Sequence, residues 1–180
     1  MKHYLIFLTI YCFPFYTNAQ SEQKFTISEI GWTFGLPEGY KVIDTSSKTV
    51  QLQDDKHYWT KQLLFKSENA SFFTSIMTMG PEDDEIWDHL YYKEKGHFYK
   101  TVSTQKPSLQ LDSTTSSEII NSELFTKFTL VGKENGEIVY NQVQLRKLYK
   151  NYRFIISYNS IDTISLNKIE KMLQNSKFIK

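Results

Sequence analysis

The feature that most constrains this chain is a pair of long strand patterns joined at Asn135–Gly136, within "SELFTKFTLVGKENGEIVYNQVQLRKLY". Asn-Gly is the favoured pair for a two-residue hairpin, because both central residues of that turn need positive φ. The second strand alternates two sets of side chains that point to opposite faces: Val139, Val143 and Leu145 against Gln142, Gln144 and Arg146. A further turn at Lys150–Asn151 leads into "YRFIISY", so this part of the chain predicts a three-strand antiparallel meander.

Shorter strand signals come earlier in the chain. "KFTISEIGWTFGLP" predicts two short strands or one bulged strand, broken at Gly31. "QLLFK" and "SFFTSIMTM" flank "SENA" and predict a hairpin. Residues Val42 to Asp55 are polar and show no hydrophobic period. The sequence does not decide whether the segment from Val42 to Trp59 is a functional loop.

Two helices are predicted. The first begins at Pro81, has an acidic first turn and ends before Pro107. Its apolar residues recur at helical spacing: Trp87, Leu90, Tyr91, Phe98 and Val102. The second lies in "SLNKIEKMLQNSKFIK", with Asp162 or Ser165 as its N-cap. The element order predicts an α+β fold, a curved antiparallel β-sheet of about six or seven strands with helices packed on its faces.

The first twenty residues, "MKHYLIFLTIYCFPFYTNAQ", have the pattern of a signal peptide. An apolar run follows Lys2, and Thr17-Asn18-Ala19 supplies the small residues that a signal peptidase requires, so we expect cleavage after Ala19. A lipoprotein signal at Cys12 is disfavoured by the bulky Tyr11 before it. We therefore expect residues 1–19 to be removed and residues 20–180 to form a single α+β domain, exported to a bacterial periplasm or the extracellular space.

Loss of residues 1–19 changes the chemistry that the chain can perform. The chain has one cysteine, Cys12, so the mature protein is expected to lack disulfides and thiol nucleophiles. Basic residues number 21 and acidic residues 20 before cleavage, and removal of Lys2 balances them. This balance disfavours nucleic acid as a partner. No apolar run after residue 19 is long enough for a membrane span.

Catalytic and metal-binding motifs are absent from the sequence. His57, His89 and His97 lack zinc-ligand spacing, no Gly-x-Ser-x-Gly elbow occurs, and the "PEDDE" run fits a helix start better than a calcium loop. We expect no cofactor and no metal. The basic stretch "RKLYKNYR" from Arg146 to Arg153 is interpreted as a hairpin whose cations face solvent.

Two aromatic stretches are the candidate recognition sites. "HYWTKQ" brings together His57, Tyr58 and Trp59, either as aromatics exposed in a loop or as a strand start that packs Trp59 inward. "GWTFGLPEGYK", Gly31 to Lys41, is predicted to be a structural corner rather than a binding site, because Trp32, Phe34 and Leu36 alternate and should enter the core together.

The stretches "WTFGLPEGYK" and "KIEKMLQNSKF", with the element order between them, resemble the fold group shared by Mog1 and the PsbP photosystem protein. The resemblance implies an α/β/α sandwich built on an antiparallel sheet, and it implies no activity.

Three functions from different classes follow from these observations. The first is an exported, non-catalytic binding or assembly module of the cell envelope, with an unknown partner. The alternative is a small apolar-ligand or lipid-binding protein with a pocket between sheet and helices. The third is a hydrolase with an unrecognised carboxylate site.

Overall fold

The structure is a computed structural model that describes residues 23–51, 57–78, 83–149 and 152–179. Within these residues the chain forms ten strands and two helices. In chain order they are β1 (Lys24–Ile27), β2 (Trp32–Gly35), β3 (Lys41–Gln51), β4 (His57–Lys66), β5 (Ala70–Thr78), α1 (Asp83–Gln105), β6 (Gln110–Ile120), β7 (Glu123–Glu134), β8 (Glu137–Tyr149), β9 (Tyr152–Ser160), α2 (Thr163–Asn175) and β10 (Lys177–Phe178).

Seven of these strands form one large sheet in the order β3-β4-β5-β9-β8-β7-β6. Every neighbouring pair is antiparallel. The sheet is built from two chain-local halves, β3 to β5 and β6 to β9, which meet where β5 pairs with β9. Helix α1 connects the two halves. The predicted α+β fold with an antiparallel sheet of six or seven strands is confirmed.

A second, smaller sheet has the order β1-β2-β10 and is also antiparallel. The first strand signal of the chain is therefore two short strands rather than one bulged strand. They are separated by a turn in which Gly31 has a φ of 66°. The sequence patterns did not indicate that β1 and β2 leave the large sheet, or that the last residues of the chain join them as β10.

The main core lies between the large sheet on one side and the small sheet with α2 on the other. Its largest fully buried side chains include Trp32, Phe34, Phe65, Phe72, Phe125, Phe154 and Tyr158. Ring contacts connect the layers, since Trp32 lies 5.1 Å from Phe154 between ring centroids. On the opposite face of the large sheet, Val102 of α1 packs against Phe128 and Leu130 of β7. The large sheet is thus covered on both faces.

The Asn135–Gly136 hairpin is confirmed. Glu134 pairs with Glu137 across it, and Asn135 and Gly136 have φ values of 53° and 85°. A second two-residue turn, Asn121–Ser122, joins β6 to β7, with φ values of 48° and 68°. Asn121 tolerates the left-handed region better than most residues, but Ser122 does not, so the sequence did not mark this pair as a hairpin turn.

The two edge strands of the large sheet, β3 and β6, were not predicted. The segment Val42 to Asp55 was left unassigned, yet residues 41–51 form β3. Whether Val42 to Trp59 is a functional loop was left undecided, and the described residues of this segment form strands rather than a loop. Residues 52–56 lie outside the described part. Both strands are polar because an edge with little packing on either face does not need apolar alternation.

Of three further predictions, only the N-cap of the last helix falls on described residues. The predicted helix start at Pro81 and the turn at Lys150–Asn151 lie outside the described residues. Helix α2 is capped by Asp162, whose carboxylate accepts a hydrogen bond from the Ser165 amide at 2.7 Å. Of the two candidate caps, Asp162 is therefore the one used.

The prediction that the cations of "RKLYKNYR" face solvent is wrong for Arg146, which is only 2% exposed. In the register of β7 and β8, Gln144 pairs with Phe128, whose side chain packs against α1. Arg146 is two residues further along β8, so its side chain lies on the same face of the sheet, which α1 covers. Arg153 is partly buried, and desolvation lowers its pKa. Both arginines have interaction partners and are not free cations.

Candidate functional site

The corner between β2 and β3 has two different sides. Trp32 and Phe34 are buried at 0% and 2% exposure, and Leu36 packs against the same core. Trp32 also stacks on Phe178 of β10, with ring centroids 6.1 Å apart. These contacts confirm that the aromatics of the corner enter the core, but residues of the same stretch also line a groove, so the expectation that it has no binding role stays a prediction. Because successive strand residues point to opposite faces, Thr33 and Gly35 lie on the other side.

Between the small sheet and α2 lies a groove that we call the lysine groove. It consists of two adjoining cavities of about 290 Å³ and about 230 Å³, which share Gly35, Met172 and Asn175. The remaining lining residues are Lys24, Thr33, Phe34, Pro37, Glu38, Lys168, Lys171 and Lys177. The volume is that of a site for a small molecule or a few residues of a peptide.

The lining is strongly cationic. It holds four lysines, all exposed, against the single carboxylate of Glu38. None of the four lies within ion-pair distance of a carboxylate among the described residues, whereas Lys61, Lys127 and Lys147 elsewhere all do. Lys168 Nζ instead donates a hydrogen bond to the Glu38 carbonyl oxygen at 3.2 Å. The groove therefore concentrates positive charge that the described residues do not neutralise.

The backbone of Gly35 faces this groove. Leu36 donates its amide to Gln23 on the β1 side at 2.8 Å, and Ile179 donates its amide to Gly31 on the β10 side. Successive residues of a strand direct their backbone groups to opposite sides, so the amide and carbonyl groups of Thr33 and Gly35 point toward β10. Thr33 is paired with Lys177 there, but the residue that would continue the pairing, Asn175, is the last residue of α2. The amide and carbonyl of Gly35 therefore have no backbone partner on this side among the described residues.

The floor of the groove is apolar. Phe34 and Met172 contribute to the lining while being only 2% and 7% exposed. A ligand of the lysine groove would meet a small apolar surface below, cationic side chains around the rim and a backbone edge at Gly35. This combination fits an anionic ligand that is partly apolar or peptidic.

Apart from its four lysines, the groove has one ionisable side chain among the described residues. Glu38 is its single carboxylate, it holds neither histidine nor cysteine, and Thr33 contributes its only hydroxyl. Nearby, Tyr40 is buried against Ser165, its hydroxyl donates to the Ser165 carbonyl at 3.5 Å, and burial raises its pKa. Within the described ranges, no group of three His, Cys, Asp or Glu residues could hold a metal ion.

The predicted recognition residues His57, Tyr58 and Trp59 do not line the groove. They are the first residues of β4 and pair with Gln51, Val50 and Thr49, so the interpretation as a loop is wrong. They lie at the end of β4 opposite to Lys66, about 30 Å along the strand. Their backbone alone is described, and a binding role for them stays a prediction.

Sequence reasoning missed the groove because its lysines come from separate segments. Lys168 and Lys171 are three positions apart and share a side of α2, which is the one local signal that could have been noticed. Lys24 and Lys177 join them only through the small sheet, whose third strand was not predicted.

The described helices include none that is long and apolar enough to cross a membrane. No protein-family model matches the chain, and no curated protein matches it in sequence. Solved structures do match, and two of them are CyanoP and LpqN. The solution structure of the cyanobacterial PsbP protein, CyanoP, from Synechocystis has a TM-score of 0.57 and 10% identity, and the match covers 87% of this chain and 92% of that one.

The second is LpqN of Mycobacterium tuberculosis, described as involved in cell envelope biogenesis. Its TM-score is 0.41 at 10% identity, and the match covers 91% of this chain and 88% of LpqN. The chain has the PsbP/Mog1-like fold, as the sequence resemblance implied. At this identity the similarity to CyanoP concerns the fold alone.

Proposed function

We propose that this protein is an exported, non-catalytic binding module of the bacterial cell envelope that holds an acidic, extended segment of a partner protein in the lysine groove. The observation that carries the proposal is the meeting of four unneutralised lysines with the backbone edge of Gly35. Export is supported by the signal-peptide pattern of residues 1–19.

The lysines supply attraction and orientation. Opposite charges across an interface steer encounter and suppress wrong partners, and exposed lysines do so without the desolvation penalty of a buried charge. A partner segment with carboxylates on both sides of its contact point could meet Lys24 and Lys177 at one end and Lys168 and Lys171 at the other.

The backbone of Gly35 supplies the argument for a peptide. A segment that enters between β2 and the last turn of α2 would continue the line of β10 and exchange hydrogen bonds with Gly35, as strand-adding peptides do. Glycine at this position has no side chain to hinder that approach.

A second candidate is an anionic amphiphile such as a fatty acid, which follows the lipid-binding alternative. The observation in its favour is the apolar floor formed by Phe34 and Met172. An acyl chain would need to bury much more apolar surface than this floor offers, since binding from apolar contact is proportional to the buried area.

Calorimetry with two probes tests the proposal: an acetylated acidic pentapeptide, Asp-Glu-Leu-Glu-Asp, and myristate. The double variant Lys171→Glu/Lys177→Glu reverses two groove lysines that make no side-chain hydrogen bond or ion pair among the described residues. The matched control, Lys93→Glu/Lys100→Glu, changes net charge equally on exposed positions of α1.

We expect the peptide to bind the wild type and the control alike, and the groove variant at least about tenfold more weakly, with affinity falling as salt is added. Binding of myristate but not of the peptide would favour the second candidate. Equal peptide affinity for all three proteins would contradict the proposed site.

A further inference from the structure

Strand β6 is an edge of the large sheet, and no other strand in the described part of the chain pairs with its outer side. Its eleven residues pair with β7 in one continuous register without a bulge, and none of them is Lys, Arg or Pro. All residues from Asp112 to Ser117 are exposed. The other edge strand is blunted in the usual ways: β3 carries Lys41 and Lys48 and a register shift between Val42 and Asp44.

The turn before β7 determines which backbone groups of β6 point outward. Ile120 and Glu123 flank a two-residue turn and form a hydrogen-bonded pair, so even-numbered residues of β6 direct their amide and carbonyl groups to β7. The odd-numbered residues then direct theirs to the open side. They are Leu111, Ser113, Thr115, Ser117 and Ile119.

Exposed apolar side chains border this edge on the α1 side of the sheet. Ile119 and its cross-strand partner Leu124 are 63% and 58% exposed. Lys95 Nζ of α1 donates to Thr115 Oγ1 at 2.8 Å, which identifies the side of the helix that faces β6. Tyr92 and Tyr99, within one turn of Lys95, lie on that side and are 66% and 39% exposed.

We propose that this edge is the docking surface for a second copy of the chain, with the two β6 strands paired antiparallel about a twofold axis at Thr115. In this register the outward-facing residues pair with one another and form about ten interchain backbone hydrogen bonds. The two seven-stranded sheets become one continuous sheet, and the interface is isologous.

The side chains of β6 are self-complementary in this register. Ile119 lies opposite Leu111 of the second copy, Ser113 opposite Ser117, and Thr115 opposite its own equivalent. Thr–Thr and apolar cross-strand pairs are among those that stabilise antiparallel sheets. An unrelated strand would match the apolar ends only by chance, whereas the sequence of β6 places them at equal distances on either side of Thr115.

The helices allow the approach. Phe98 and Val102 of α1 pack on Phe128, so α1 lies above β7. In the dimer three strand spacings, about 14 Å, separate the two β7 strands. Helices in direct contact are 8–10 Å apart, so the two α1 helices leave room between them that Tyr92 and Tyr99 can fill.

One contact opposes the pairing and makes it testable. Asp112 lies opposite Glu118 of the second copy, and like charges directly opposite are destabilising. Lys127, which forms an ion pair with Glu118 at 2.8 Å, offsets part of this repulsion. Removing the charge of Asp112 should therefore strengthen the dimer, which neither a monomer nor a dimer through another surface predicts.

Sedimentation equilibrium on the full chain tests the inference with three variants. We expect the wild type to dimerise in the concentration range of the experiment. Thr115→Lys, which places two lysines opposite each other on the axis, should raise the dimer Kd at least about tenfold. Thr45→Lys, an exposed position of the other edge strand, is the matched control and should leave the Kd unchanged. Asp112→Asn should lower the Kd about threefold or more.

Amide hydrogen exchange gives a second measurement that does not depend on any variant. In the dimer, the amides of Ser113, Thr115 and Ser117 should be protected together with those of Thr114 and Ser116. A wild type that stays monomeric, or odd-numbered amides that exchange freely at dimer-forming concentration, would overturn the inference, as would a dimer indifferent to both Thr115→Lys and Asp112→Asn. Because β6 and the lysine groove share no residue, these results are independent of peptide binding.

Discussion

The backbone amide of Ile179 donates a hydrogen bond to the carbonyl oxygen of Gly31 at 2.8 Å, so the end of the described chain is tied to the turn between β1 and β2. A second hydrogen bond lies nearby, from the side-chain amide of Asn121 to the carbonyl oxygen of Ser176 at 2.6 Å. The small sheet, and with it one wall of the lysine groove, therefore depends on contacts that residues 176–179 make with distant parts of the chain.

Gly31→Ala should destabilise the protein more than Gly39→Ala. Both glycines have positive φ, 66° and 86°, so each substitution incurs backbone strain on the order of 1–3 kcal/mol. A Cβ at Gly31 would also collide with the Ile179 carbonyl oxygen, whereas a Cβ at Gly39 would meet open space. Urea unfolding of both variants measures the difference, and equal losses would show that the contact with Ile179 is unimportant.

Trp32→Ala should lower the free energy of unfolding by about 3–5 kcal/mol, as other large truncations in cores do. Trp32 is fully buried and contacts rings from both sheets, including Phe154 and Phe178. Its indole Nε1 has no hydrogen-bond partner among the described residues, so Trp32→Phe loses packing alone and should cost less. Unchanged stability of Trp32→Ala, measured by denaturant unfolding, would contradict the structural role of the corner.

Asp162→Ala should lower the melting temperature at pH 7, and the difference from the wild type should shrink in acid. The amide of Ser165 hydrogen-bonds the Asp162 carboxylate and lowers its pKa below the ordinary value. A carboxylate with a depressed folded-state pKa stabilises the fold above its unfolded pKa, and this stabilisation is lost as pH falls through the folded value. Melting curves from pH 7 to about 2.5 give the test, and a pH-independent difference would argue against the charged cap.

The exported protein should begin at Gln20. Residues 1–19 lie outside the described part of the structure, and the prediction depends on the small residues Thr17-Asn18-Ala19 after an apolar run. Intact mass spectrometry of the protein recovered from the periplasm or the medium decides the matter. A lipid-modified Cys12, or an uncleaved chain in the cytoplasm, would be incompatible with both the cleavage site and export.

The sequence predicted those parts of the fold that local chemistry determines. The φ requirement of Asn135–Gly136 marked the long hairpin, and the alternation of Trp32 and Phe34 marked the buried corner. Strands β3 and β6 were missed because edge strands can be polar on both faces, so no period distinguishes them from loops. Burial of Arg146 was missed because a strand pattern does not reveal which face a distant helix will cover.

The lysine groove could not be predicted for a different reason. Its four lysines belong to β1, α2 and β10, and only the pairing of β10 with β2 brings them together. That pairing involves two residues and has no hydrophobic pattern of its own. The conspicuous aromatics His57, Tyr58 and Trp59 were singled out instead, although the structure places them at the start of β4.

A heteronuclear NMR titration of the full chain with the acidic pentapeptide tests whether the lysine groove binds an acidic segment along the backbone of Gly35. We predict saturable shifts of the Gly35, Asn175 and Lys177 amides, with slower exchange of the Gly35 amide in the complex, because the peptide pairs with that backbone edge. The same shifts should be lost in Lys171→Glu/Lys177→Glu and kept in Lys93→Glu/Lys100→Glu. Shifts that map to another surface, or an unchanged Gly35 amide at saturation, would contradict the account.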